Sequence, residues 1–241
     1  SYLTLIESRM YFMACDGASG IALWAHEISN ESTWQVADIN PSTSPNEYVI
    51  APQTLKQKFL SIGTMVFFSG DDGVSGKELW VHDSSNDSTW RVSDIYPGGG
   101  CPQIASCGDG VTSGAYLTAV GERVYFWAND NSSGIELWVY DTSNSSLWMN
   151  NEIFNGSDES VASMEVVGPR LYFSAYNPFM NRSLWVHETL NSSSWPIIED
   201  SQALFKNFVA VGDMLYFVYG DGWYDDDQLW RLKVDHSISY T

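Results

Sequence analysis

The sequence predicts an all-β fold made of repeated four-stranded antiparallel units, and three observations support this prediction. A segment of the type KELWVHDSSNDSTWRVSDI (77–95) recurs along the 241-residue chain. Short runs rich in β-branched and aromatic residues, separated by turn residues, precede each copy, as is typical of strands and hairpins. The second of these runs is apolar on both faces, which a sheet packed between two other sheets requires. Five such units in series predict a five-bladed β-propeller that forms one domain over 1–241.

Each repeat is predicted to contain four strands, which we call a, b, c and d. A turn that is led by glycine in the last four copies separates strand a from strand b. Longer loops such as 40–58 and 96–115 join strand d of one repeat to strand a of the next. In the second repeat the strands are predicted at 59–62, 65–70, 77–82 and 89–95. The repeats cover approximately 1–41, 57–97, 114–154, 163–200 and 207–241.

Tryptophan marks the repeats. A Leu-Trp pair occurs in strand c of all five copies, and a second Trp follows ten residues later in the first four. These residues are Trp24, Trp34, Trp80, Trp90, Trp138, Trp148, Trp185, Trp195 and Trp230. A buried Trp removes about 150–250 Å² from water. We therefore expect these side chains to be buried and to provide much of the adhesion between sheets.

The second repeat also contains GKELWVHD and VSDIYPG. These motifs resemble the ELWxxDGT repeat, a family pattern with LYFxAxDGxxGxELW upstream and VxDIxPG downstream. The resemblance extends over essentially the whole chain and implies a β-propeller of a surface-associated type, but it implies little about function. The sequence departs from the family at 83–89, where a Ser/Asn tract replaces the turn glycines.

This Ser/Asn tract contains acceptor sites for N-linked glycosylation. The Asn-x-Ser pattern occurs in the predicted c–d hairpin at Asn30, Asn86, Asn144 and Asn191, and in other turns or loops at Asn131, Asn155 and Asn181. Asn and Ser are good turn residues, so chance is the alternative. A turn needs Asn or Gly, however, and does not by itself need Ser two positions later in four repeats. We therefore expect N-linked glycans on most of these sites, and hence a secreted or cell-surface protein.

Net charge and apolar segments limit the partners. The formal net charge is −19 at pH 7, so nucleic acids and anionic membranes would be repelled. No apolar run is long enough to predict a membrane span. Cys101 and Cys107 bracket a Gly/Pro-rich loop, where a disulfide would contribute about 2 kcal/mol. Cys15 lies in an apolar strand and is expected to be a buried thiol.

Metal binding and catalysis have little support. His26, His82 and His187 each follow the first Trp of a repeat by two, which predicts one rim histidine per blade rather than a shared metal site. A weak calcium candidate is the acidic loop with Asp221, Asp225, Asp226 and Asp227, for which a solvated loop is the alternative. Repeated carboxylates at strand ends are expected to accept turn amides. We expect neither an enzyme nor a cofactor.

Two functions remain. The first is a structural or adhesive extracellular glycoprotein that binds itself or other extracellular proteins, for example as the subunit of a filament or surface layer. The alternative is a carbohydrate-binding lectin, similar to five-bladed propellers of the tachylectin type. Trp127 and Trp223 stand outside the repeated pairs and are the candidate contacts with a sugar ligand.

Overall fold

A computed structural model describes residues 3–15, 21–39, 59–72, 74–96, 117–130, 132, 135–150, 161–176, 182–200, 204–220, 227–233 and 238–240. The described residues form five four-stranded antiparallel sheets. Within each sheet the four strands are neighbours in chain order, as the repeats predict. By contact density the chain divides into two compact units, Ser1–Leu117 with Phe126–Ser132, and Thr118–Tyr125 with Ser133–Thr241.

The strands have the following bounds. Sheet 1 contains β1 (Thr4–Ile6), β2 (Arg9–Cys15), β3 (Ile21–Glu27) and β4 (Ser32–Ala37). Sheet 2 contains β5 (Leu60–Ile62), β6 (Met65–Asp71), β7 (Lys77–Asp83) and β8 (Ser88–Arg91). Sheet 3 contains β9 (Thr118–Val120), β10 (Arg123–Asn129), β11 (Ile135–Asp141) and β12 (Ser146–Met149). Sheet 4 contains β13 (Val161–Val167), β14 (Arg170–Tyr176), β15 (Arg182–Glu188) and β16 (Ser193–Asp200). Sheet 5 contains β17 (Leu204–Val211), β18 (Met214–Gly220), β19 (Gln228–Lys233) and β20 (Ile238–Tyr240).

The turns between strands a and b need a left-handed backbone. Gly63, Gly121, Gly168 and Gly212 have φ values of 56° to 61° in the last four sheets. In the first sheet the same turn places Glu7 at φ 54°. Glycine adopts this conformation at no steric cost, whereas a side chain makes it unfavourable. The predicted glycine-led turns are therefore confirmed.

The two faces of each sheet can be named from strand c, because the adjacent Leu and Trp point to opposite sides. We call these sides the leucine face and the tryptophan face. In the first unit, Leu23 and Ala25 on the leucine face of sheet 1 pack with Val66 and Phe68 on the tryptophan face of sheet 2. This contact covers the leucine face of sheet 1 and the tryptophan face of sheet 2, as expected for sheets whose strand b is apolar on both faces.

The second unit repeats this packing at sheets 4 and 5. Leu184 and Val186 on the leucine face of sheet 4 lie in one buried cluster with Leu215 and Phe217 on the tryptophan face of sheet 5. The leucine face of sheet 5 is different, because Leu229 is 49% exposed. Its counterparts in the other sheets, Leu23, Leu79, Leu137 and Leu184, are at most 1% exposed. Sheet 5 therefore has one buried and one exposed face.

The repeated tryptophans are less buried than expected. All nine are partly exposed, and Trp90 is exposed by 38%. The largest fully buried side chains are instead mostly the Tyr and Phe residues of strand b, such as Tyr11 and Phe67. A large indole is rarely covered completely, and the second Trp lies on edge strand d. The repeated indoles are therefore partly rather than fully buried, and Trp34, Trp80, Trp195 and Trp230 pack against the buried clusters.

Candidate functional site

In sheets 1 to 4 the c–d hairpin and the a–b turn lie at the same edge of the sheet and are hydrogen-bonded to each other. The backbone N–H of Ser84 donates to the carbonyl of Thr64 at 2.9 Å. The same bond joins Ile28 to Ser8 at 2.9 Å, Thr142 to Glu122 at 2.9 Å and Thr189 to Pro169 at 3.1 Å. We call this edge of each sheet the hairpin edge.

The four hairpin asparagines have the same local geometry. Asn30, Asn86, Asn144 and Asn191 are exposed, and each Oδ1 accepts the backbone N–H of the serine two positions later at 2.9 to 3.0 Å. At three of these sites the serine hydroxyl also donates to Oδ1, at 2.5 to 2.6 Å. The serine therefore has a structural role, contrary to the expectation that the turn does not need it. The amide nitrogen Nδ2, which would carry a glycan, takes no part in these bonds.

An arginine at the hairpin edge of sheet 1 reaches the hairpin of sheet 2. Arg9 Nε lies 3.3 Å from Glu27 Oε2, and Arg9 Nη1 donates to the carbonyl of Ser84 at 3.0 Å and to Asp87 Oδ1 at 2.7 Å. The guanidinium carbon lies 5.5 Å from the ring centroid of Trp34. One cation therefore binds two carboxylates, one from its own sheet and one from the next.

In the second unit, Arg123 occupies the same position. Its Nε lies 3.2 Å from Asp141 Oδ2, its Nη1 lies 3.3 Å from the carbonyl of Thr189, and its guanidinium carbon lies 5.6 Å from the ring centroid of Trp148. These contacts match those of Arg9 with Glu27, Ser84 and Trp34. At the position of Asp87, however, the hairpin of sheet 4 has Ser192.

A cavity of about 410 Å³ lies beside Arg123. Its lining includes Arg123, Tyr125, Asp141, Ser143, Thr189 and Leu190. Volumes in this range are typical of small-molecule sites. The cavity combines one cation, several oxygen atoms and apolar surface, which is a composition that can bind a small polar ligand.

The charges in this cavity are fixed by its hydrogen bonds. The hydroxyl of Ser143 donates to Asp141 at 2.6 Å and, together with other hydrogen bonds, lowers the pKa of that carboxyl group. Hydrogen bonds to Asp141 and Tyr125 raise the pKa of Arg123, while burial raises the pKa of Tyr125. At neutral pH the cavity therefore contains an arginine cation, an aspartate anion and a neutral phenol, and Glu122 is a further carboxyl residue in its lining.

Two histidines are buried beneath the hairpins. His187 is 0% exposed, and its Nδ1 lies 2.9 Å from Ser194 Oγ and 3.0 Å from Asn150 Nδ2. Burial lowers its pKa to about 4. His82 is 1% exposed and its Nδ1 lies 2.9 Å from Thr89 Oγ1. Each of these histidines lies in its own sheet with its own hydrogen-bond partner, and the prediction of rim histidines stays a prediction. In the described part of the chain, no group of three or more His, Cys, Asp or Glu is placed to hold a metal ion.

A buried carboxyl group that the sequence did not single out lies in sheet 2. Glu78 is 0% exposed and accepts the backbone N–H groups of Ile95 at 3.1 Å and of Tyr96 at 3.2 Å. Burial raises its pKa to about 7. Strand d was predicted to run to Ile95 but ends at Arg91, and Glu78 binds the backbone beyond it. A charged residue in the otherwise apolar strand c was the available signal.

The other predicted sites have separate outcomes. Trp127 was predicted as a sugar contact, but it is 1% exposed on central strand β10 and cannot contact a ligand, so that prediction was wrong. From the weak calcium candidate, Asp227 binds Lys206 at 2.8 Å. The remaining predicted residues, Asn131, Asn155, Asn181, Cys101, Cys107, Trp223, Asp221, Asp225 and Asp226, lie outside the described residues.

Comparisons with known proteins identify the fold rather than a family. The chain matches no protein-family model and no curated protein. Similar solved structures include TolB from Acinetobacter baumannii, with 10% identity, a TM-score of 0.54 and coverage of 97% of this chain and 52% of that chain. A prolyl endopeptidase has 12% identity, a TM-score of 0.67 and coverage of 100% and 36%. A puromycin-hydrolysing peptidase from Mycobacterium tuberculosis has 10% identity, a TM-score of 0.61 and coverage of 100% and 38%.

This chain therefore spans about half or less of the length of those three proteins. At such low identity the likeness shows the fold alone. It supports a β-propeller type of fold for the five sheets and carries no information about activity. No helix that is long and apolar enough to cross a membrane occurs among the described residues.

Proposed function

We propose that this chain is an N-glycosylated extracellular β-propeller protein with a structural or adhesive role. The observation that carries the proposal is the set of four exposed hairpin asparagines with equivalent geometry. Their Nδ2 atoms take no part in the bonds that form the turn, so a glycan could be attached without breaking them. Glycans at these positions would cover the same edge of four successive sheets.

Self-association is part of the proposal, because two faces that carry apolar side chains are exposed. The leucine face of sheet 5 exposes Leu229 by 49%, and it also carries the exposed Arg231 and Lys233. On the tryptophan face of sheet 1, Met10, Phe12 and Trp24 are all partly exposed, although the first two correspond to buried residues in the other sheets. Faces of these two types pack together inside each unit. We therefore propose that sheet 5 of one copy packs against sheet 1 of a second copy, so that copies join end to end.

The oligomeric state in solution tests this proposal. Light scattering after size-exclusion chromatography, at physiological ionic strength, is expected to give oligomers that grow with concentration. Leu229→Asp is expected to abolish them, whereas Leu190→Asp, a substitution at an 82% exposed hairpin leucine, is expected to leave them intact. A monomer at every concentration would contradict self-association.

Intact mass and site mapping test glycosylation on protein from its natural source, before and after glycan removal. Occupancy at Asn30, Asn86, Asn144 and Asn191 is expected. The control in a glycosylating host is Asn86→Asp, which retains an oxygen acceptor for Ser88 but has no Nδ2. This variant is expected to lose the mass of one glycan and to stay folded. Unmodified asparagines in the native protein would contradict an extracellular glycoprotein.

Carbohydrate binding is the second candidate function, and the cavity beside Arg123 favours it. Arginine, aspartate and hydroxyl groups around a concave surface are suited to the hydroxyl groups of a sugar. A glycan array distinguishes the two functions. Selective binding of sugars supports the second, whereas a silent array together with concentration-dependent oligomers supports the first.

A further inference from the structure

The two arginine sites at the hairpin edges have different carboxylates around them. Asp87 of the next hairpin has no counterpart beside Arg123, whereas Glu122 lines the cavity at Arg123 where sheet 1 has Ser8. Arg9 binds Glu27 from its own sheet and Asp87 from the next hairpin. Arg123 has the equivalent bond to Asp141, but the residue that corresponds to Asp87 is Ser192. Asp87 and Ser192 both have a left-handed backbone, with φ values of 53° and 58°. The two hairpins therefore present these side chains from the same backbone conformation.

The missing carboxylate coincides with open space. Asp87 Oδ1 lies 2.7 Å from Arg9 Nη1, whereas a serine side chain is one heavy atom shorter and has no negative charge. The side chain of Arg123 is 40% exposed, compared with 26% for Arg9. The 410 Å³ cavity lies beside the Arg123 side chain. The chain itself thus shows which group fits beside this arginine.

We propose that Arg123 binds the carboxylate of an acidic monosaccharide, which takes the place that Asp87 has beside Arg9. A bond between a guanidinium and a carboxylate is charge-assisted and directional. This proposal deepens the second candidate function, carbohydrate binding, and rests on it. It is independent of glycosylation and of self-association.

The remaining lining fits a sugar better than a simple acid. Ser143 donates its hydroxyl proton to Asp141, and Thr189 donates its own to Pro169 at 2.6 Å, so both oxygens can accept a hydrogen bond from a sugar hydroxyl. Leu190 is 82% exposed and offers apolar surface to the C–H groups of a sugar ring. These contacts would bind the sugar ring in addition to its carboxylate.

Net charge limits the size of the ligand. A chain with a formal charge of −19 repels long polyanions. Charges that lie more than about 8 Å away are largely screened at physiological salt, however, so the field in the cavity is set by its own groups, Arg123, Asp141 and Glu122. A single carboxylate is favoured there only by a direct bond to Arg123. The site is therefore suited to a monosaccharide acid, such as a uronic acid.

Glucuronate is the probe for the test, with glucose and acetate as comparisons. Titrations followed by chemical-shift changes are expected to give an affinity for glucuronate at least tenfold higher than for either comparison. Ser192→Asp places a carboxylate beside Arg123 and is expected to weaken glucuronate binding at least tenfold. Ser145→Asp adds the same charge at the same hairpin position of sheet 3 and is expected to have little effect. Both variants keep the Asn-x-Ser pattern, and Asp87 shows that the hairpin accepts aspartate.

The other outcomes distinguish failure of this site from failure of carbohydrate binding in general. Sugar binding that is unchanged in Ser192→Asp would leave carbohydrate binding intact and overturn this site. Equal affinity for acetate and glucuronate would overturn the assignment to a sugar acid. Failure of wild-type protein to bind any sugar, in this titration and on a glycan array, would overturn both the site and carbohydrate binding.

Discussion

Oε2 of Glu78 lies 3.1 Å from the backbone nitrogen of Ile95. Burial raises the pKa of Glu78 from 4.5 to about 7. The folded state therefore favours the protonated form. Its contribution to stability is fully present below the unfolded pKa of 4.5 and is lost as the pH rises through 7.

Glu78→Gln is expected to remove this dependence on pH. Glutamine cannot ionise. Its amide group accepts only one of the two backbone N–H bonds, so the free energy of unfolding of the variant is lower by about 1 kcal/mol at every pH. The free energy of unfolding of the wild type falls by up to about 3 kcal/mol between pH 4.5 and 7 because Glu78 ionises, and that of the variant does not. Urea unfolding at a series of pH values measures the difference between the two proteins. Parallel curves would contradict the raised pKa.

His187 gives a pH dependence of the opposite sign. Burial lowers its pKa from 6.5 to about 4, so the folded state favours the neutral imidazole. Its contribution is present above pH 6.5 and is lost as the pH falls to 4. We expect His187→Gln to reduce the loss of stability between pH 7 and pH 4 by up to about 3 kcal/mol. Thermal unfolding of both proteins between pH 7 and pH 4 measures this difference. If the variant loses as much stability as the wild type at low pH, His187 does not titrate in this range.

The hairpin serines should contribute to stability even without glycans. Ser88 Oγ donates to Asn86 Oδ1 at 2.5 Å. In protein from a bacterial host, Ser88→Ala is expected to lower the free energy of unfolding by about 0.5 to 1 kcal/mol, because this bond is exposed. Ser88→Thr keeps the hydroxyl group and is the matched control. Equal stability of the two variants would mean that the serine matters only as part of a glycosylation site.

Equivalent leucines in sheets 2 and 5 should differ in importance. Leu79 is 1% exposed and Leu229 is 49% exposed. Leu79→Ala is expected to cost about 2 to 5 kcal/mol, because it removes buried surface and leaves a cavity. Leu229→Ala is expected to cost less than about 1 kcal/mol in the monomer. Denaturant unfolding at low protein concentration measures both. A similar large loss at Leu229 would show that its face is buried in solution.

The fold could be predicted from the sequence because every repeat contributes to the same pattern. The apolar runs of strand b and the glycines of the a–b turn recur, and Glu7 shows that one exception does not change the turn. Trp127 was assigned wrongly because its absence from the repeated pairs suggested a surface role, whereas its place on a central strand buries it.

The candidate site depends on residues that differ between repeats, whereas the repeat pattern consists of residues that the copies share. Asp87 and Ser192 both read as ordinary turn residues in the sequence. Their importance comes from Arg9 and Arg123, which precede them in the chain by many residues and belong to the neighbouring sheet. Only the packing of one sheet on the next brings each arginine to its hairpin.

The bonds between the hairpins and the turns also determine how the molecule would carry mechanical load. A pull on Asn86 reaches the sheet through the bonds of Ser84 to the Thr64 carbonyl, and through the bond of Thr64 Oγ1 to Asp83 at 2.8 Å. These bonds share the force, because they join the hairpin to the a–b turn of the same sheet. A pull on Asn86 is therefore passed to strands a and b of sheet 2 as well as to strands c and d.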